Sequence, residues 1–251
     1  MLDIEIKGQI AELTMNRPEK RNAMCDELLA AIDNFFSNPP DGVRVAILTG
    51  TAGHYCSGLD LSELKRRNAE ETMRHSRHWH GVMDRVQFGG LPVVSAMYGA
   101  VIGGGLELAT STHVRIAEPD TLFQLPEGRR GIFVGGGATV RVGRILGADR
   151  MTEMMLTGRK YHADEGLALG LTHYSVGPGE SLSLARELAA KIARNASLSN
   201  YTMIHGISRI NDMPRQDGLF SESLCAALTQ TSPDAAEGLA AFLEKRAPEF
   251  R

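Results

Sequence analysis

Cysteine is scarce: Cys25, Cys56 and Cys225 are the only three in 251 residues. An odd number at this spacing suits neither a disulfide framework nor a zinc site, so a reducing, cytoplasmic location is the default. A secretory signal is not expected either. The N-terminus reads MLDIEIKG, with acidic residues early and no apolar core. Charge of one sign is not in excess either. Twenty-seven Lys and Arg against 30 Asp and Glu leave a net charge of -3, a poor basis for general nucleic-acid binding. The longest uncharged stretch, Val86 to Leu106, is long enough to cross a bilayer. It contains Pro92 and the glycines at 89, 90, 99, 103, 104 and 105, and Glu107 follows at once. A buried strand with a glycine-rich turn accounts for it better than a membrane span. No Gly-Lys-Ser/Thr completes a Walker A loop. Gly53 and Gly58 fall short of the dinucleotide fingerprint, so NAD binding is not expected.

What is present is an ordinary globular balance, 43% hydrophobic and 23% charged, enough to bury one large core. Residues 3–7 and 10–14 alternate with period two around Gly8, which predicts a hairpin. Met24 to Phe36 reads as an amphipathic helix, and Val43 to Leu48 and Leu91 to Met97 as buried strands. The stretch from Leu61 to about Val86 is polar with helical tendency. Helical character returns near Gly104, and His113 to Ala117 and His173 to Val176 return to strand. Alternation of this kind predicts an α/β class. From Glu180 onward only helices are expected, among them Ser181 to Ala193. A last one is capped by Ser232, with Pro233 at its first position and Asp234 in its first turn. The expected organisation is a core over residues 1–195 and a helical appendage over 196–251.

Three glycine-rich segments hold the candidate chemistry. They are Gly53 to Leu61, Gly99 to Glu107, and Pro126 to Gly137. Glycine lets backbone N–H groups turn toward a ligand, and a run that opens a helix adds unpaired donors and the positive end of the dipole. Such a run can equally serve tight helix–sheet packing. A lone glutamate beside one would ordinarily be a solvated helix-start carboxylate. Glu107 and Glu127 each adjoin a glycine run, a pattern that suits paired acid–base work.

Four ordered segments and a tail then carry a resemblance: Asn16 to Met24, Cys56 to Leu61, Gly103 to Glu107, Pro126-Glu127 with Gly135-Gly136-Gly137, and Phe242 to Arg246. Together they resemble the enoyl-CoA hydratase/isomerase family, the crotonase superfamily, over nearly the whole chain. The resemblance implies a spiral of ββα units with a C-terminal helical trimerisation region, assembled as a trimer or a dimer of trimers. It implies an oxyanion hole from the N–H groups of Leu59 and Gly104, with Glu107 and Glu127 as the two hydratase carboxylates. Arg17, Lys20, Ala23, Ser57, Gly58, Asp60 and Leu61 would shape the coenzyme A and substrate site. Phe242 and Lys245 would reach the coenzyme A of a neighbouring subunit. No metal, flavin or nicotinamide is implied, and coenzyme A is part of the substrate.

The implied reaction is addition of water across the 2,3 double bond of an enoyl-CoA thioester. A Δ3-Δ2 double-bond isomerase needs one shuttling base, and retention of Glu107 favours hydration over it. An aryl-propenoyl-CoA hydratase-lyase is a further alternative. Some relatives are non-catalytic RNA-binding proteins, against which the two carboxylates and the acidic balance argue. The chain departs from the family pattern at Ser62, where a phosphate-binding lysine is common. That leaves Lys20, Lys65 or Arg66 to meet the phosphates. Val134 replaces a proline. Arg129 and Arg130 replace apolar residues and would depress the Glu127 pKa if they pointed inward. His75, His78 and His80 around Trp79 read as a mix of surface and pocket wall rather than a metal site, and Cys56 reads as packing.

Overall fold

A computed structural model describes residues 1–63 and 67–250. The strands are β1 (Leu2–Lys7), β2 (Ile10–Met15), β3 (Val45–Thr49), β4 (Val93–Met97), β5 (Ala100–Ile102), β6 (Val114–Ala117), β7 (Leu122–Gln124), β8 (Tyr161–His162) and β9 (Tyr174–Ser175). The helices are α1 (Asp26–Ser37), α2 (Ala69–Phe88), α3 (Gly104–Thr110), α4 (Ala138–Leu146) and α5 (Ala148–Thr157). They continue as α6 (Ala163–Leu169), α7 (Ser181–Ala193), α8 (Ser197–Ile210), α9 (Arg215–Gln230) and α10 (Pro233–Glu244).

The period-two segments form the expected antiparallel hairpin β1–β2, with Leu2 opposite Met15. From β2 the sheet continues in parallel, in the order β1-β2-β3-β4-β6-β9. The middle strands β3 and β4 are buried at every position and β6 at three of four, because both faces are covered. Val45 and Ile47 of β3, with Val94, Ala96 and Ile116, meet Ala185, Ala189 and Ala193 of α7. Those alanines recur every fourth residue, so α7 presents one small-residue stripe and lies close to the sheet. The opposite side chains, Ala46, Leu48, Val93 and Met97, pack into a larger core with Leu28, Leu29 and Ile32 of α1 and Val82, Met83 and Val86 of α2.

A second, smaller sheet has the order β5-β7-β8. Chain order explains the architecture. Each of β4 and β6 is followed by a short strand of the second sheet, β5 and β7, and then by a helix. After β3 the same place is taken by Cys56, which bridges to Val101. This is a spiral of ββα turns, as the resemblance implied. α7 closes the sheet, and α8, α9 and α10 follow it. The segment Val86 to Leu106 is divided among the end of α2, β4, β5 and the start of α3. Among the described residues no helix is long and apolar enough to cross a membrane.

Local chemistry sets the helix ends. α1 begins two residues later than its periodicity suggested, because Cys25 Sγ accepts the Leu28 N–H at 3.4 Å. α2 opens with a capping box in which Asn68 Oδ1 takes the Glu71 N–H and Glu71 Oε2 takes the Asn68 N–H, both at 2.9 Å. Ser232 caps α10 as expected, its hydroxyl accepting from Ala235 N–H at 3.1 Å.

Candidate active site

The pairing of β5 with β7 brings the two glutamates together. Ala100 faces Leu122 and Ile102 faces Gln124 in parallel register, and Gly103 N–H continues the ladder to Gln124 O at 2.8 Å. α3 then carries Glu107 inward, while the chain leaving β7 turns at Pro126 into a 3-10 turn that begins with Glu127. The two strands thus end side by side, and one carboxylate follows each. Both glutamates are buried and line one cavity of about 370 Å³.

Glycine makes the approach possible. Gly103 has φ 54°, and a Cβ there would stand 2.7 Å from Glu127 Oε1. At Gly136 a Cβ would stand 2.5 Å from Glu107 Oε2.

The two carboxylates differ in their partners. Glu107 Oε1 accepts N–H bonds from Gly136 at 2.7 Å and Ala138 at 3.0 Å, at the N-terminus of α4. Burial still pushes its pKa up, opposed by those N–H groups and by the Arg141 charge. Glu127 Oε2 is buried and has no hydrogen-bond partner among the described residues. Burial, with the nearby Glu107 charge adding to it, raises Glu127 to about 7. Neither Arg129 nor Arg130 points inward; both are exposed. Arg129 turns away to Thr157 O at 2.9 Å, and the charge of Arg130, which does pull the pKa down, is outweighed by burial. The two carboxyls are coupled: Glu107, with two N–H donors, is the better placed to carry negative charge, and Glu127, whose Oε2 has no donor among the described residues, to carry a proton.

Two N–H groups face the same cavity. Met24 pairs with Leu59 as a parallel bridge, through Met24 N–H to Gly58 O at 2.7 Å and Asp60 N–H to Met24 O at 2.9 Å. That pattern leaves the Leu59 N–H on the opposite edge. Gly104 is the first residue of α3, where no intrahelical acceptor exists. Neither N–H has an acceptor among the described residues. The two segments run close together, since a Cβ added at Gly58 would lie 2.7 Å from Ile102 O and 3.4 Å from Gly104 N. Trp79 of α2 closes the far side, its six-membered ring within 2.9 Å of where a Gly104 Cβ would stand.

Of the residues singled out from sequence, Ser57, Gly58, Leu59, Leu61, Gly104, Glu107 and Glu127 line this cavity. Arg17, Lys20, Ala23 and Asp60 stand outside its lining and build the loop beneath it. Arg17 Nη2 meets Asp60 Oδ2 at 2.6 Å, and Arg17 Nη1 donates to Ala23 O at 3.1 Å. Ser62, where a lysine is common, instead hydrogen-bonds Asp60 at 2.6 Å and, with Arg17, holds that carboxyl at about 2. Lys20 reaches Ser62 Oγ at 3.3 Å. Lys65 and Arg66 lie outside the described residues. Phe242 is 79% exposed on α10 and Lys245 caps that helix; neither lines the cavity of its own chain. His75 lines the cavity and His78 is exposed. Cys56 is fully buried with its thiol pushed up to about 12, which suits packing.

Ser76 and Trp79 on one face of α2, and Gly136 as a donor to Glu107, were not singled out from sequence as site residues. Trp79 is the only tryptophan, yet the glycines it packs against, Gly104 and Gly136, are at least 25 positions away and no spacing announces them. A larger cavity, about 850 Å³, lies between α2, α4 and α8. It contains neither glutamate. Two of its arginines are matched to carboxylates, Arg141 to Asp84 at 2.6 Å and Arg144 to Asp212 at 2.5 Å, and the smaller cavity, which holds both glutamates, is the better seat for acid–base chemistry.

A sequence model described as enoyl-CoA hydratase/isomerase matches residues 5–251. Enoyl-CoA hydratase EchA19 of Mycobacterium tuberculosis is 30% identical, over 99% of this chain and 95% of its own. The 2,3-dehydroadipyl-CoA hydratase of Escherichia coli is 31% identical, over 100% and 98%. The crystal structure of an enoyl-CoA hydratase from Bacillus anthracis superposes with a TM-score of 0.92 at 30% identity, covering 99% of this chain and 98% of that one. A solved structure from Rhodopseudomonas palustris gives 0.95 at 43% identity, covering 97% and 95%.

Proposed function

The chain belongs to the enoyl-CoA hydratase/isomerase family, and on that premise we propose that it is an enoyl-CoA hydratase whose base is Glu107 and whose acid is Glu127. The observation that carries the assignment is the asymmetry of the pair: Glu107 is held by two N–H donors, while Glu127 keeps a buried oxygen without one among the described residues. In an α,β-unsaturated thioester, Cβ is electrophilic. Glu107 takes a proton from water, and the water oxygen bonds to Cβ. The electron pair moves to the thioester oxygen, where the N–H groups of Leu59 and Gly104 stabilise the enolate. Fixed donors of this kind are worth on the order of 100- to 1000-fold in rate each. The enolate then collapses and Cα takes the Glu127 proton, and exchange with solvent restores the pair. Coenzyme A enters and leaves as part of the substrate, and no separate cofactor has a step. Binding of 2-enoyl-CoA thioesters should be followed by loss of the conjugated thioester absorbance. Purified protein that leaves short, long and aryl enoyl-CoA absorbance all unchanged would overturn the reading.

The same reading includes a cytoplasmic homo-oligomer, a trimer or a dimer of trimers. The C-terminal helices support it, since Phe220, Leu224 and Leu228 of α9 and Leu239, Phe242 and Leu243 of α10 are more than half exposed. Apolar surface on this scale marks an interface, and Phe242 and Lys245 would then reach a neighbour's coenzyme A. Sedimentation should give three or six chains per particle. A stable monomer at micromolar concentration would remove that assembly and the cross-subunit role of Lys245.

A further inference from the structure

The loop Gly135-Gly136-Gly137 has no side chains of its own, yet its Gly136 N–H, with the Ala138 N–H that follows, holds Glu107. Its carbonyls are tied in turn. Ser76 Oγ of α2 donates to Gly135 O at 2.7 Å. Arg141 Nη1 of α4 donates to Gly136 O at 3.3 Å. The same guanidinium donates to Gln87 Oε1 and Asp84 Oδ1 of α2, both at 2.6 Å, and its side chain is only 9% exposed. We propose that Arg141, aided by Ser76, is a positioning residue for Glu107: by fastening the glycine loop's carbonyls to α2, it turns the loop's N–H groups toward the carboxylate. A peptide unit is rigid, so Ser76 at Gly135 O fixes the direction of the Gly136 N–H, and Arg141 at Gly136 O fixes that of the next N–H, Gly137, which also lowers the Glu107 pKa. A planar fork is required, because one guanidinium spans three acceptors on two elements. Arg141 does not touch the reacting atoms. It acts through the loop and through its charge.

The inference rests on Glu107 as the base, and its test separates the two ideas. The charged and titratable groups around Glu107 are Glu127 and Arg130 on the turn after β7, His75 of α2 and Arg67 in the same cavity, and Arg141 on α4, with Arg77, His80 and Asp84 of α2 behind Arg141. The Arg141 charge lowers the Glu107 pKa. Removing it therefore raises that pKa, and the acid limb of kcat, which needs Glu107 ionised, moves to higher pH. Arg141→Gln should lower kcat by about 10- to 100-fold, the size of effect that misplacing a catalytic group produces. KM should stay within about twofold of wild type, since coenzyme A contacts lie elsewhere. Arg141→Lys should restore the position of the acid limb and part of kcat. In a Glu107→Gln background, adding Arg141→Gln should cost little more, because the two act as one unit. If Arg141→Gln does not fold, Ser76→Ala reports on the other tie, the one on the peptide that carries the Gly136 N–H, and should lower kcat in the same direction. Wild-type kcat and an unmoved acid limb in the folded variants, beside a wild type that hydrates, would overturn the positioning role alone. A wild type that does not hydrate would overturn the function instead.

Discussion

Glu127→Gln should abolish hydration, lowering kcat by roughly 100- to 10,000-fold, the range general acid catalysis supplies. The change removes the proton donor assigned to Cα, a step that a double-bond shift on the same scaffold would share, so isomerisation should fall with it. The variant also carries a stability signature. Glu127 titrates at about 7 in the folded chain, against about 4.3 for an unperturbed glutamate. A carboxyl with a raised folded pKa binds its proton more tightly in the native state. Its destabilising effect is therefore absent below about pH 4, grows as pH rises toward 7, and is complete above that. The cost of a buried amide does not depend on pH. Hence the Tm difference, Glu127→Gln minus wild type, should be more positive at pH 8 than at pH 5. A variant that keeps wild-type turnover, with a Tm difference that does not change with pH, would mean that Glu127 is neither buried as described nor the acid.

The second large effect is expected at Glu107. Glu107→Gln preserves an oxygen able to accept from Gly136 and Ala138, so the loop should keep its place. It removes the charge that activates water. Hydration should drop by about 100-fold or more, while slow isomerisation of a 3-enoyl thioester, which needs no water, is spared. Hydration near the wild-type rate would make Glu107 structural. A wild type that isomerises 3-enoyl thioesters faster than it hydrates 2-enoyl ones would replace the hydratase reading with the isomerase one.

How much of this could be read from sequence depends on range. The hairpin around Gly8, the buried run of β3, α7 and the Ser232 cap are local patterns, and they stand in the structure within a few residues. Glu107 and Glu127 were legible as carboxylates beside glycine runs, and the family resemblance placed them as a pair. The three-residue strands β5 and β7 were not legible. They are too short to show a period, yet their register brings the glutamates together. The direction of the Glu127 shift was equally hidden, because Arg130 is close in sequence while the burial that overrides it comes from distant chain. Arg141 sits in a Val-Arg-Val-Gly-Arg stretch that reads as any amphipathic helix, and only α2, more than 50 positions earlier, reveals what it holds.

The two N–H groups proposed to hold the thioester oxygen belong to the main chain, and no codon writes them directly. The side chain at Leu59 can drift over generations without altering the donor it hangs from. Heritable damage to the oxygen cradle must instead come through residues that bend the chain's path, such as Gly58 and Gly103. A lineage carrying this scaffold can therefore remodel the walls of its pocket, Trp79 and Phe133 among them, and try new acyl groups while its oldest chemistry passes on unchanged.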